Sequence, residues 1–91
     1  MDFGKALEAL HNGKKVARED WNGKGQFIFQ MLSTQLARTV EDYFEFRDWN
    51  LTPYKGLIVS DTFVIVTKKN IQVGWLASQT DMLANDWEIV K

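Results

Sequence analysis

Turn and helix-capping residues interrupt this sequence at short intervals, so every helix and strand in it must be short. Asp2 precedes apolar residues at helical spacing and Gly13 follows them, which predicts one short amphipathic helix. The pair Asn22-Gly23, with Gly25 close behind, is typical of a tight turn. Because short elements bury apolar surface only by packing on one another, we expect a single domain over residues 1–91.

Several short segments have the β-branched and aromatic composition of strands. They comprise residues 15–18, 26–32, 57–59, 62–67, 71–75 and 87–90. The stretch 33–53 is ambiguous, because Thr39 can cap a helical turn whereas Tyr43 also suits an extended segment. The whole pattern predicts an α+β fold, with a small antiparallel sheet, an N-terminal helix and a short C-terminal helix before the last strand.

The C-terminal helix has a well-marked start. Ser78 and Asp81 form a Ser-x-x-Asp pattern, in which hydroxyl and carboxylate satisfy free N–H groups of the first helical turn. Trp75 comes just before, so a ring, hydrogen-bonding side chains and free N–H donors converge there. The pattern fits a cap alone and it also fits the wall of a binding site. Asn85 is expected to end the helix in left-handed geometry.

Aromatic side chains are numerous for so short a chain, with four tryptophans, two tyrosines and six phenylalanines. Small domains gain stability from metals, disulfides or self-association. The chain has no cysteine and one histidine, which leaves self-association. We therefore expect a homo-oligomer with aromatic contacts, and no metal site or cofactor.

The formal net charge is −1, with eleven basic and twelve acidic side chains mixed along the sequence. A broad electropositive face is not expected, which argues against duplex nucleic acid as a partner. The apolar stretches are too short to span a bilayer. We expect a soluble, cytoplasmic protein that does not bind a membrane.

The first turn region contains candidates for ligand contact. Trp21 has few strand neighbours in a polar, glycine-bearing turn, so its ring either packs across the turn or stacks on the base of a ligand. Gly23, Lys24 and Gly25 lack the spacing of a P-loop or of a dinucleotide fingerprint. They are either turn residues alone or a loop whose amides and Lys24 meet a phosphate.

Catalytic chemistry has little support in the sequence. With a single histidine there is no metal cage, and His11 is expected to be solvated near the end of the first helix. Asp81 and Glu19 are the candidate bases, but neither has a nucleophile at convincing spacing. Trp87 alternates with Ile89 and is expected in the core.

Two segments resemble a known family of small phage and bacterial proteins. Residues 3–29 read FGKALEALHNGKKVAREDWNGKGQFIF and residues 74–90 read GWLASQTDMLANDWEIV. In this order, and at these ends of the chain, they resemble the Thoeris anti-defense 2-like family. Together the two segments span roughly half of the chain.

The resemblance implies a function and an assembly. Phage members of the family act as sponges, which bind the cyclic ADP-ribose isomer made by a bacterial immune TIR enzyme and do not cleave it. Some relatives take up cyclic dinucleotides. The family forms homotetramers with ligand pockets between subunits. A phage anti-defense protein without enzyme activity, acting in the host cytoplasm, is what the resemblance predicts.

The resemblance also points to particular residues. The first motif falls on Trp21 and Asn22, and the polar run of the second motif falls on Ser78, Gln79, Thr80 and Asp81. A cyclic adenine nucleotide presents a base, ribose hydroxyls and a pyrophosphate, which suit aromatic faces, amides or carboxylates, and cationic or N–H donors. The candidate ligand-binding residues are therefore Arg18, Trp21, Asn22, Gly23, Lys24, Trp75, Ser78, Gln79, Thr80 and Asp81. Alternatives are a nucleotide-hydrolysing enzyme and an oligomeric phage structural or interaction protein.

Overall fold

The structure is a computed structural model, which describes residues 1–22 and 24–91, with the side chain of Asn22 outside the description. Its elements in chain order are α1 (Phe3–His11), β1 (Lys15–Arg18), α2 (Glu19–Asn22), β2 (Phe27–Met31), α3 (Ser33–Phe46), a 3-10 helix (Thr52–Tyr54), β3 (Thr62–Val66), β4 (Ile71–Val73), α4 (Gln79–Leu83) and β5 (Trp87–Val90). The predicted α+β class is confirmed, with its N-terminal helix and its short helix before the last strand.

The chain forms two compact units, of which the first comprises Met1–Gln30 with Thr62–Lys91 and the second comprises Met31–Asp61. The expectation of a single domain stays a prediction. None of the described helices is long and apolar enough to cross a bilayer.

α1 begins and ends where its capping residues predict. The side chain of Asp2 accepts a hydrogen bond from the backbone N–H of Lys5 at 2.8 Å. Gly13 adopts a φ of +80° just after the helix, a conformation in which a side chain would be strained. Ala6 and Leu10 lie on the same face and are buried, so the predicted amphipathic helix is confirmed.

A five-stranded sheet in the order β4-β3-β2-β1-β5 carries the first unit. β1 is antiparallel to both of its neighbours, and Val16 pairs with Ile28 on one side and with Ile89 on the other. In the same ladder Arg18 pairs with Trp87. Directly paired residues point to the same face of a sheet. This register therefore brings the second half of the sequence beside the first.

The hydrophobic core lies between α1 and one face of this sheet. Leu10 packs with Val16, Ile28 and Trp87, each at most 1% exposed. Full burial of an aliphatic side chain of this size contributes about 1.5 to 3 kcal/mol. The prediction that Trp87 is a core residue is confirmed.

α3 is the main element of the second unit, and the helical alternative for residues 33–53 is correct over Ser33–Phe46. Trp49, which the sequence did not place, packs edge-on against Tyr43 and Phe44 with ring centroids 5.7 and 5.6 Å away. The guanidinium carbon of Arg47 lies 5.9 Å from the centroid of the Trp49 ring. These rings form an aromatic cluster at the end of α3.

Two local predictions are wrong. Residues 57–59 form no strand, and Ile58 is 92% exposed, because β-branched composition yields a strand only where a partner strand is available. Asn85 is not among the described residues with a positive φ. α4 instead ends through Ala84, whose extended backbone (φ −73°, ψ 150°) leads toward β5. No left-handed residue is needed there.

Candidate functional site

The start of α4 is closed by a reciprocal capping box, as predicted. The Ser78 hydroxyl accepts from the backbone N–H of Asp81 at 3.1 Å, and the Asp81 carboxylate accepts from the backbone N–H of Ser78 at 3.3 Å. At the other end of the turn, the indole Nε1–H of Trp87 donates to the backbone carbonyl of Asp81 at 2.8 Å. These three bonds hold the first turn of the helix in place.

Arg18 joins the end of β1 to both sides of α4. Its Nη1 lies 3.2 Å from Asp81 Oδ1 and its Nε lies 2.9 Å from Asp86 Oδ1. The hydrogen bond from Arg18 lowers the pKa of the Asp86 carboxyl, against the opposing effect of partial burial. The hydrogen bond to Asp86 likewise raises the pKa of Arg18. One cation is therefore shared by two carboxylates, and the trio carries a net negative charge.

Four aromatic rings from distant parts of the first unit meet next to these charges. Trp21 lies edge-on to Trp87 at 5.4 Å and to Trp75 at 6.3 Å between ring centroids. Phe3 completes the group, 5.5 Å from Trp87. Edge-to-face rings at these distances attract each other by about 0.5 to 1.5 kcal/mol beyond their burial. Trp21 therefore packs on other rings of the first unit, and these come from the far end of the sequence and not from across its own turn.

Both outer tryptophans nevertheless keep part of their surface accessible. Trp87 is fully buried, whereas Trp21 and Trp75 are only partly buried. A ring that is held on its inner side and open on its outer side can contact a planar group without rearrangement. The stacking of Trp21 on a base stays a prediction.

The segment after β1 begins as one helical turn, α2, and the turn that its glycines indicate follows at residues 24–25, where Gly25 has a φ of +67°. The backbone N–H groups of Lys24 and Gln26 both donate to the carbonyl of Trp21, at 2.8 and 3.3 Å. Lys24 itself is exposed. Gly23 and the side chain of Asn22, both candidate ligand contacts, lie outside the described residues.

The structure joins five of the ten candidate ligand-binding residues through contacts. Arg18, Ser78 and Asp81 share hydrogen bonds, and Trp21 and Trp75 share the ring cluster. Gln79 and Thr80 stand in the first turn of α4 with exposed side chains. Lys24 lines a different depression, together with Lys68 and Lys69.

Sequence reasoning missed two contributors to this site, Asp86 and the ring of Phe3. Asp86 is 68 residues from Arg18 along the chain, and their contact follows from the pairing of β1 with β5. Nothing local in the sequence signals it. Phe3 belongs to α1, and its position against Trp87 depends on how that helix packs on the sheet.

His11 has no special surroundings. It is exposed, and its Nδ1 lies 2.8 Å from Gln30 Oε1, so the interpretation of a solvated residue near a helix end is confirmed. Over the described part of the chain, there is no group of three or more His, Cys, Asp or Glu residues that could hold a metal ion.

Comparison with known proteins identifies the family. The sequence model of the Thoeris anti-defense 2-like domain matches residues 1–90. A protein of Bacillus phage SP01 named Thoeris anti-defense 2 is 43% identical over 91 residues, which make up 99% of this chain and 94% of that protein. The chain therefore belongs to the Thoeris anti-defense 2-like family, and the resemblance seen in its two end segments is confirmed.

Proposed function

We propose that this protein is a phage anti-defense sponge, which binds a cyclic ADP-ribose isomer made by a bacterial TIR immune enzyme and holds it without cleaving it. Cyclic dinucleotides are a second ligand class within the proposal. Sequestration in the host cytoplasm would deny the signal to its effector. The observation that carries the proposal is the meeting of the two family segments, in which Arg18 contacts Asp81 and Trp21 contacts Trp75.

The chemistry of these residues suits the parts of such a ligand. The accessible parts of the Trp21 and Trp75 rings offer apolar surface to a base. Gln79 and Thr80 offer exposed amide and hydroxyl groups to the ribose. Carboxylates accept hydrogen bonds from ribose hydroxyls, and the net negative trio of Arg18, Asp81 and Asp86 favours this role over contact with a pyrophosphate.

Binding without cleavage agrees with how Asp81 is used. Its carboxylate already accepts hydrogen bonds from the backbone N–H of Ser78 and from Arg18. Asp81 is therefore held as a helix cap and ion-pair partner, and about two of the four acceptor positions of its carboxylate are left for a ligand hydroxyl. The competing proposal, a nucleotide-hydrolysing enzyme with Asp81 or Glu19 as base, requires a nucleophile within hydrogen-bond reach of one of these carboxylates.

A pocket between subunits of a homotetramer is part of the proposal. Leu76 is 92% exposed and Leu83 is 80% exposed, and they stand on either side of the capped start of α4. Apolar side chains that are this exposed next to a candidate site favour coverage by a second copy of the chain. A neighbouring subunit would raise the buried fraction of the ligand, which high affinity requires.

The decisive experiment recovers the ligand intact. The purified protein is incubated with the cyclic ADP-ribose isomer, and unbound ligand is removed. The complex is then heated, and the released nucleotide is identified by mass spectrometry. Intact nucleotide supports the sponge, and an altered nucleotide supports the enzyme. No nucleotide at all supports an oligomeric structural or interaction protein. Gln79→Ala serves as the site variant and Glu88→Gln, on β5, as the matched control.

A further inference from the structure

A second group of polar side chains surrounds a shallow depression in the first unit. It is lined by Lys24, Gln26, Thr67, Lys68 and Lys69 and has a volume of about 250 Å³. Three of its five lining residues are lysines and none of them is acidic. On a chain whose formal net charge is −1, this is a local excess of positive charge.

Two segments that are distant in sequence form this depression. A Cβ atom built on Gly25 would lie 4.0 Å from Cε of Lys68, so the stem of Lys68 runs beside the loop that carries Lys24. Gly25 has a φ of +67°, which lets the loop turn tightly at this point. The contact gathers lysines of the first loop and of the β3–β4 turn around one space.

The β3–β4 turn holds its two lysines in place without using their side chains. The backbone N–H groups of Lys69 and Asn70 donate to Thr67 Oγ1 at 3.1 and 3.0 Å, and that hydroxyl lies 2.8 Å from Asn70 Oδ1. The backbone N–H of Thr67 donates to the Asn70 carbonyl at 2.9 Å. The turn is therefore set before any ligand arrives, which reduces the entropy lost on binding.

We infer that this depression binds a phosphoryl group, either of a nucleotide diphosphate or of free inorganic pyrophosphate. Lysine ammonium groups bind phosphate oxygens as point charges, and several of them around one space suit a multiply charged anion. The depression is small and three lysines line it, which favours a compact anion over duplex nucleic acid. The inference adds Lys68, Lys69 and Gln26 to the proposed contact of Lys24, and it does not depend on the sponge function.

The test uses inorganic pyrophosphate as the probe and the full chain at low salt. Titration into ¹⁵N-labelled protein should shift the amide signals of Lys24, Gly25, Lys68 and Lys69. The double variant Lys68→Ala/Lys69→Ala should bind about tenfold more weakly, since it loses charge-assisted contacts at an exposed site. Lys14→Ala is the control, because Lys14 is also exposed and lines a different depression with Glu8. Its affinity should stay within about twofold of the parent's.

A parallel titration with the cyclic ADP-ribose isomer distinguishes the two sources of the phosphoryl group. Lysine-dependent binding of both probes supports a nucleotide diphosphate site. Lysine-dependent binding of pyrophosphate, with no binding of the nucleotide by the parent protein, supports a free-anion site and counts against the sponge. If the double variant still binds the nucleotide and the parent protein does not bind pyrophosphate, this inference is overturned and the sponge proposal stands. Binding of neither probe, equal weakening by Lys14→Ala, or tighter binding of a DNA duplex also overturns it.

Discussion

The indole Nε1–H of Trp87 donates a 2.8 Å hydrogen bond to the backbone carbonyl of Asp81. Trp87 is a core residue at 1% exposure, and Asp81 closes the capping box of α4. The hydrophobic core is thus bonded directly to the helix that carries the candidate site. Variants in this region must be judged on stability and on binding together.

Trp87→Phe should lower the free energy of unfolding by about 1 to 3 kcal/mol, because it removes a buried donor and leaves space beside α4. Urea unfolding followed by circular dichroism measures this. Trp49→Phe is the matched control, since Trp49 is 54% exposed, and it should change stability by about 0.5 kcal/mol or less. Equal losses in the two variants would contradict a special role for the Trp87–Asp81 bond.

Ser78→Ala and Gln79→Ala separate capping from ligand binding. Ser78→Ala should cost about 0.5 to 2 kcal/mol of stability, because the hydroxyl caps α4. Gln79→Ala, at an exposed side chain without a capping role, should leave stability within about 0.5 kcal/mol and weaken nucleotide binding. Thermal melting and calorimetric titration with the cyclic ADP-ribose isomer check both. If Gln79→Ala binds the nucleotide as tightly as the parent and only Ser78→Ala is destabilised, the start of α4 has a capping role and no role in ligand binding.

Arg18→Ala and Lys24→Ala should differ although each removes one positive charge. Loss of Arg18 leaves Asp81 and Asp86 without their shared cation, so this variant should unfold at a lower temperature. Lys24 is exposed, and its replacement should leave the melting temperature unchanged and weaken nucleotide binding by less than about 1.5 kcal/mol. Melting curves and low-salt titrations of both variants provide the comparison. A destabilised Lys24→Ala would show that its loop has a structural role instead.

Acidification should remove the contribution of the Arg18–Asp86 ion pair to the free energy of unfolding. The bond from Arg18 holds the folded-state pKa of Asp86 below the ordinary value of 3.8, so the native state favours the charged carboxylate. This contribution is present above pH 3.8 and is lost as the pH falls through the folded-state pKa. Asp86→Asn should therefore reduce the loss of stability on acidification, as measured by urea unfolding at successive pH values.

A double-variant cycle assigns this pH effect to the pair. In an Arg18→Gln background, Asp86→Asn should change the pH dependence less than in the parent, because the largest cause of the lowered pKa is already absent. Additive effects of the two substitutions would show that a neighbour other than Arg18 lowers the pKa of Asp86.

Native mass spectrometry at micromolar concentration should show a tetramer. Leu83→Glu, which places a charge on an 80% exposed apolar position at the end of α4, should shift the distribution toward smaller species, because the proposed subunit contact covers this position. Ile58→Glu is the control, at a 92% exposed position in the second unit. A parent protein that stays monomeric would count against a site completed by a neighbouring subunit.

Local sequence determined both ends of α1, the start of α4 and the positions of β1 and β5. Asp2, Gly13 and the pair Ser78 with Asp81 act over three or four residues, and their hydrogen bonds form wherever the chain enters or leaves a helix. Such signals are readable because both partners lie within one turn. For the same reason the family motifs at the two ends of the chain were recognisable without a structure.

Only the tertiary structure decided how these local pieces form one site. Arg18 and Asp81 are 63 residues apart, and their ion pair exists because β1 accepts β5 as its neighbour in a register that sets Arg18 opposite Trp87. The choice between packing and exposure for Trp21 also depended on rings brought in from the other end of the chain. Residues 57–59 show the converse, since their strand-like composition met no partner strand. Pairing between distant segments is a property of the whole fold, because a strand is stabilised by its neighbour's backbone and not by its own side chains alone.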